Sequence, residues 1–137
     1  MTARTMSPLV MVLDRFGSGT VAETRFAIRE LVHGAGIAQL ADSAALLTTE
    51  LVADAVARDP QALIVYAESD RRHVRVEISE TGEAGRDGVP RSGAPSRAFA
   101  VDALRGRLLD ELADGWGSIR TRDGGIVWFD VGIRATV

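Results

Sequence analysis

The alternation of apolar and polar positions divides the chain into strands and amphipathic helices. Leu9-Val10-Met11-Val12-Leu13 is an unbroken apolar run of strand length, with Phe16 just beyond it. Gly17-Ser18-Gly19-Thr20 interrupts it, and Thr20 followed three positions later by Glu23 predicts a capping box. A first helix is expected from Val21 to His33, its apolar contacts supplied by Phe26, Ile28, Leu31 and Val32, and Gly34-Ala35-Gly36 ends it. A second helix is expected from a cap at Asp42 or Ser43 to about Arg58, with Leu47, Leu51 and Ala55 on one stripe. Asp59-Pro60 stops it, because the residue before a proline avoids the helical conformation.

Two strands follow, Ala62 to Glu68 and His73 to Glu80, joined by the polar turn Ser69-Asp70-Arg71-Arg72. The second alternates cleanly, with Val74, Val76 and Ile78 on one face and Arg75, Glu77 and Ser79 on the other, so the hairpin has one buried and one wet face. Thr81 to Arg97 differs in kind: Gly82, Gly85, Gly88, Gly93, Pro90 and Pro95 break it up, and loops of this length are functional or disordered. A third helix is expected from about Ala98 to Ala113, with Val101, Leu104, Leu108 and Leu112 as its stripe. Gly106 inside it costs roughly 1 kcal/mol relative to alanine and marks either close packing or a break. A last hairpin joins Trp116–Arg122 to Ile126–Val131 through Asp123-Gly124-Gly125, with Trp116 and Trp128 as hairpin core or a cross-strand pair. This order predicts an α+β two-layer sandwich: a mixed, mainly antiparallel sheet covered on one face by about three helices. Residues 1–8 are expected to be a flexible start and 9–137 a single domain.

Composition narrows the chemistry by exclusion. The hydrophobic share of 46% and charged share of 26% are ordinary for a folded chain, which argues against global disorder. A net charge of −3 gives no general attraction to nucleic acid or anionic membrane. No apolar run approaches the ~18 residues of a membrane span and no signal peptide opens the chain, so a cytoplasmic location is expected. There is no Cys, which removes thiol nucleophiles, disulfides and Cys-based zinc sites. All 16 basic residues are Arg, which removes a phosphate-binding lysine, a Schiff base and a lysine general base. His33 and His73 fall in different elements and read as surface or boundary residues rather than a metal pair.

The candidate chemistry lies on the second helix. Glu50 and Asp54 sit four apart at the margin of the Leu47/Leu51/Ala55 stripe, and like charges at that spacing cost about 0.2–0.5 kcal/mol in an isolated helix. Their partner is either a divalent cation or Arg58, one turn further on; the second choice makes a plain ion-pair row. Glu80 reads as an acceptor for a ligand or as a strand-end carboxylate in solvent. Arg86, Arg91 and Arg97 offer cations to phosphate or stay solvated.

With Thr49-Glu50-Leu51-Val52-Ala53-Asp54-Ala55 on helix two, Leu108-Leu109-Asp110-Glu111-Leu112-Ala113-Asp114-Gly115-Trp116-Gly117 and Gly124-Gly125-Ile126-Val127-Trp128-Phe129-Asp130, the chain resembles the Bergerat-type (GHKL) ATPase superfamily over roughly Leu9 to Val131. The nearest similarity is to the short anti-sigma-factor serine-kinase-like regulators of actinobacteria. The resemblance implies a histidine-kinase-ATPase-like fold, with Glu50 as the catalytic base, Asp54 as the Mg²⁺ ligand where the family carries Asn, and Glu80-Thr81-Gly82 where it carries Asp-x-Gly to read adenine. Arg97, in the stretch corresponding to the nucleotide lid, completes the cofactor-binding set of Asp54, Glu80, Gly82 and Arg97.

Departures accompany the resemblance. Phe99-Ala100-Val101-Asp102-Ala103-Leu104-Arg105-Gly106 stands where the family has a glycine-rich phosphate turn, and Ile126 stands where it has Thr. Of the four signature positions only Glu50 is intact. The expected function is therefore a regulatory protein-interaction module with a weakened or lost site for ATP and Mg²⁺, acting on a sigma-factor or anti-sigma-antagonist type of partner, with a homodimer possible. The alternative is an active Mg-ATP-dependent serine/threonine kinase or ATPase, Glu50 being its base and residues 81–97 its lid.

Overall fold

In the computed structural model, which describes residues 8–82, 101–122 and 124–133, the chain begins with strand β1 (Leu9–Leu13). Helices α1 (Thr20–Gly34) and α2 (Ala41–Ala57) follow, separated by a 3₁₀ turn at Ala38–Leu40. Strands β2 (Ala62–Ser69) and β3 (His73–Thr81), helix α3 (Ala103–Leu112), and strands β4 (Gly115–Thr121) and β5 (Gly124–Gly132) complete the order. The strands form one sheet in the order β1-β2-β3-β5-β4. All four pairings are antiparallel, where a partly mixed sheet was expected. The expected N-terminal segment up to residue 7, most of the 81–97 loop, and Arg97 lie outside the described residues.

The β2–β3 turn closes because Asp70 Oδ1 accepts from the backbone N–H of Arg72 at 2.7 Å and of His73 at 2.8 Å, the local bonding that favours Asp in turns. Strand alternation then sorts the faces. Leu63, Val65 and Ala67 of β2, Val74, Val76 and Ile78 of β3, and Val127, Phe129 and Val131 of β5 are all buried. They meet Ile28 and Val32 of α1 and Leu47, Leu51 and Val52 of α2 in one core. Each such side chain is worth roughly 1.5–3 kcal/mol on full burial. Thr24 and Thr48, also fully buried, donate to the carbonyls of Thr20 (2.9 Å) and Ala44 (2.7 Å) one turn back, which lets hydroxyls sit in the helix–helix seam.

Several local expectations are corrected. Gly19, not Thr20, is the N-cap of α1; Thr20 lies inside the helix and its hydroxyl accepts from Gly17 N–H at 2.9 Å. Helix α2 has no side-chain cap at Asp42 or Ser43, because the 3₁₀ turn feeds directly into it at Ala41. In α3 the fully buried side chain is Leu109, while Leu104 is 65% exposed. Val101, Leu108 and Leu112 of the expected stripe do pack against the core. Asp102 caps that helix by accepting from Arg105 N–H at 2.8 Å. Trp116 pairs with Phe129 and Trp128 with Gly117, so the two indoles lie on opposite faces and are not a cross-strand pair. The other face of the sheet carries no helix among the described residues.

Candidate functional site

The sequence-predicted acids converge where the last turns of α2 meet the end of β3 and the first turn of α3. Asp54 and Arg58 are four apart on α2, and Arg58 is its C-cap. The next residue, Asp59, turns the chain with φ +52°, a left-handed conformation that Asp tolerates and that leads into Pro60. Glu80 continues the inward series Val74, Val76 and Ile78 of β3, so its carboxyl enters the core side at only 4% exposure. The solvent-facing reading of Glu80 is thereby overturned. A Cβ on Gly124, which pairs with Thr81 next to Glu80 on β3, would lie 1.8 Å from the Glu80 carbonyl oxygen, so glycine alone permits this approach.

Arg58 joins the two acids. Its Nη2 donates to Glu80 Oε2 at 2.8 Å, its Nε faces Oε1 and Oε2 of the same carboxylate at 3.2 and 3.3 Å, and its Nη1 donates to Asp54 Oδ2. Arg105 of α3 closes the other side. Its Nη1 lies 2.5 Å from Asp102 Oδ2 and 3.5 Å from Asp54 Oδ1, its Nη2 lies 3.5 Å from Glu50 Oε2, and its Nε donates to the Glu50 backbone carbonyl at 3.0 Å. The row is therefore not the Glu50–Asp54–Arg58 ladder of one helix. It is a network across three elements, with Asp54 between two guanidinium groups.

Burial pushes the Glu80 carboxyl above its ordinary range; Arg58 pulls it back without fully offsetting that, and the Asp54 charge adds to the rise. Burial works against the Arg58 charge, but the hydrogen bonds to Glu80 and Asp54 outweigh it and hold the guanidinium above its usual value. The backbone N–H of Arg105, together with its side chain, holds Asp102 below the usual carboxylate range.

Among the described residues this arrangement does not fit Mg²⁺ and a nucleotide. Both Asp54 oxygens face guanidinium nitrogens and both Glu80 oxygens face Arg58, so neither acid turns an oxygen to a metal ion or to an adenine amine. No group of three or more His, Asp or Glu side chains among the described residues is arranged to hold a metal. The cleft beside the network, lined by Leu51, Asp54, Ala55, Arg58, Ile78, Val101 and Val127, has a volume of about 10 Å³. That is room for about one water molecule. Glu50 is the freest of the predicted set, its side chain 38% exposed. Gly82 follows the last residue of β3, half-buried and outside the network.

The residue that sequence reasoning missed is Arg105. Its signal was the Asp102-x-x-Arg105 spacing that caps and pairs at a helix start. Compared with models of known protein families and with curated proteins, the chain matches none. No described helix is long and apolar enough to cross a membrane.

Proposed function

We propose that this chain is a regulatory protein-interaction module of the anti-sigma-factor, serine-kinase-like kind, on a Bergerat-type scaffold whose ATP and Mg²⁺ site is lost. It acts in the cytoplasm by binding a partner protein of the sigma-factor or anti-sigma-antagonist type, and self-association is a further use of its surface. The observation that carries this reading is Arg58, which engages Asp54 and Glu80 together. The two carboxylates that the resemblance assigns to the metal (Asp54) and to adenine (Glu80) are thereby spent within the fold. Around them, four acids (Glu50, Asp54, Glu80, Asp102) face two arginines (Arg58, Arg105), an excess of negative charge that disfavours a polyphosphate.

Titration calorimetry with ATP at millimolar Mg²⁺ tests this reading. The expected result is no binding heat and an unchanged melting temperature. Saturable binding, or a clear rise in melting temperature with ligand, contradicts it, because a ligand held by the native state must stabilise that state. Asp54→Asn separates two causes: recovered binding assigns the loss to that ligand position, and continued silence assigns it to the missing glycines before α3.

Glu50 favours the second reading, an active serine/threonine kinase or ATPase. Its carboxylate is over a third exposed and its contact to Arg105 is long at 3.5 Å, which leaves a base accessible. In that case ATP turnover is measurable and disappears in Glu50→Gln.

A further inference from the structure

The outward positions of the five strands make a surface that the ion network does not use. The register aligns them in rows. Val12, Ile64, Ser79, Ile126 and Ile119 form one, and Val10, Tyr66, Glu77, Trp128 and Gly117 the next. Glu68, Arg75, Asp130 and Gly115 form a third. The first row is apolar but for Ser79, and Val12, Ile119 and Ile64 are 63%, 59% and 37% exposed; Val10 in the second row is 57% exposed. Five strands at their usual spacing make this strip about 20 Å long, the length of roughly four helical turns. Contiguous exposed apolar surface of this kind marks interaction sites.

The middle of the face is built to stay in place. The Trp128 indole lies flat over Gly117, where a Cβ would come within 2.9 Å of its Nε1. Arg75 stacks on the ring, its Cζ 4.4 Å from the centroid. Arg75 also pairs with Glu77 at 3.2 Å and Asp130 at 3.3 Å, and the Tyr66 hydroxyl donates to Glu68 at 3.1 Å. Rigid Trp, Tyr and Arg side chains are the types that dominate binding energy at protein interfaces.

Charge selects the occupant. Across the three rows Glu68, Glu77 and Asp130 face one cation, Arg75, which two of them already engage. The hydrogen bond to Glu68 is the main reason the Tyr66 hydroxyl is held above its ordinary value, and the Glu77 charge adds to it, a mark of the negative field there. A second copy docking through the same face would bring two acidic rows together, and an anionic partner would be repelled. We propose that this open face binds a polypeptide segment of another protein that is apolar along one side, over the first row, and basic along the other, over the second and third rows. The proposal rests on the protein-binding half of the function proposed above, and the nucleotide titration leaves it untouched.

The test uses the full chain carrying Trp116→Phe, so that Trp128 reports alone. It is titrated with a synthetic amphipathic helical peptide of leucine and lysine, and with a counterpart in which glutamate replaces every lysine. The expected result is a saturable change in Trp128 emission with the lysine peptide and affinity at least about tenfold lower for the glutamate peptide, as charge complementarity demands. Added salt weakens the complex. Glu68→Gln with Glu77→Gln lowers the affinity, and Val12→Ser with Ile64→Ser abolishes the emission change, both at an unchanged melting temperature. Equal binding of both peptides overturns the proposal, as does silence from both. Sedimentation showing a dimer that Val12→Ser with Ile64→Ser dissolves also overturns it, because a second copy then covers the face.

Discussion

Arg58 and Arg75 each pair with two carboxylates, and each pairing reaches strand β3, yet they lie on opposite faces of the sheet. Arg58 meets Glu80, whose side chain is 3% exposed, under the end of α2. Arg75 meets Glu77 and Asp130, whose side chains are 36% and 35% exposed, on the face that carries no helix among the described residues. The chemistry is the same and the surroundings are not. A charge taken from water needs its partner, whereas a charge left in water hardly notices the loss of one. The inner pair is thus part of what holds α2 to β3, and the outer one is part of what a partner would touch.

The largest break in this contrast is Arg58→Ala. It leaves the Glu80 carboxylate buried without its cation and should cost about 3 kcal/mol in urea unfolding, the usual scale for a broken buried pair. Gly124→Ala comes next. The added methyl collides with the Glu80 carbonyl, so β3 and β5 must part, and the expected loss is about 2 kcal/mol with a lower urea midpoint.

Titration sharpens the same difference. The folded-state pKa of Glu80 lies above its ordinary 4.5, so its contribution is fully present below 4.5 and is lost as pH rises through the folded value. Asp102 runs the other way: its folded value lies below 3.8, so its contribution is present above 3.8 and is lost as pH falls through the folded value. Glu80→Gln should therefore gain on the wild type as pH rises from the acid side of 4.5 towards neutrality. Melting curves along that series check it, and a pH-independent gap contradicts it. The smallest effect is Arg75→Ala. It removes exposed ion pairs and a cation–π contact, together worth about 1 kcal/mol or less.

The same contrast explains what could be read from the chain beforehand. The alternation Val74, Val76, Ile78 against Arg75, Glu77, Ser79 assigned β3 its two faces, and the two-layer α+β architecture followed from that and from the helical stripes. The parity that buries Ile78 also buries Glu80, but a charged residue at a strand end is ordinarily solvated, and only tertiary packing decides. Arg58 reaches Glu80 across 22 positions and Arg105 reaches Glu50 across 55, separations over which no local period carries information. The Asp54–Arg58 pairing was visible because it is one helical turn long. In α3 the stripe was legible at Leu108 and Leu112, which pack against the core, but it left out the buried Leu109 and included the exposed Leu104.

Paired double-mutant cycles test the central contrast most directly. Arg58→Ala with Glu80→Gln is measured beside Arg75→Ala with Glu77→Gln, under one buffer and by one denaturant. The inner pair should couple by about 2 kcal/mol and the outer pair by less than about 0.5 kcal/mol. Equal coupling energies in the two cycles would contradict the account, since the sheet would then not divide its charges into a sealed side and a presented one.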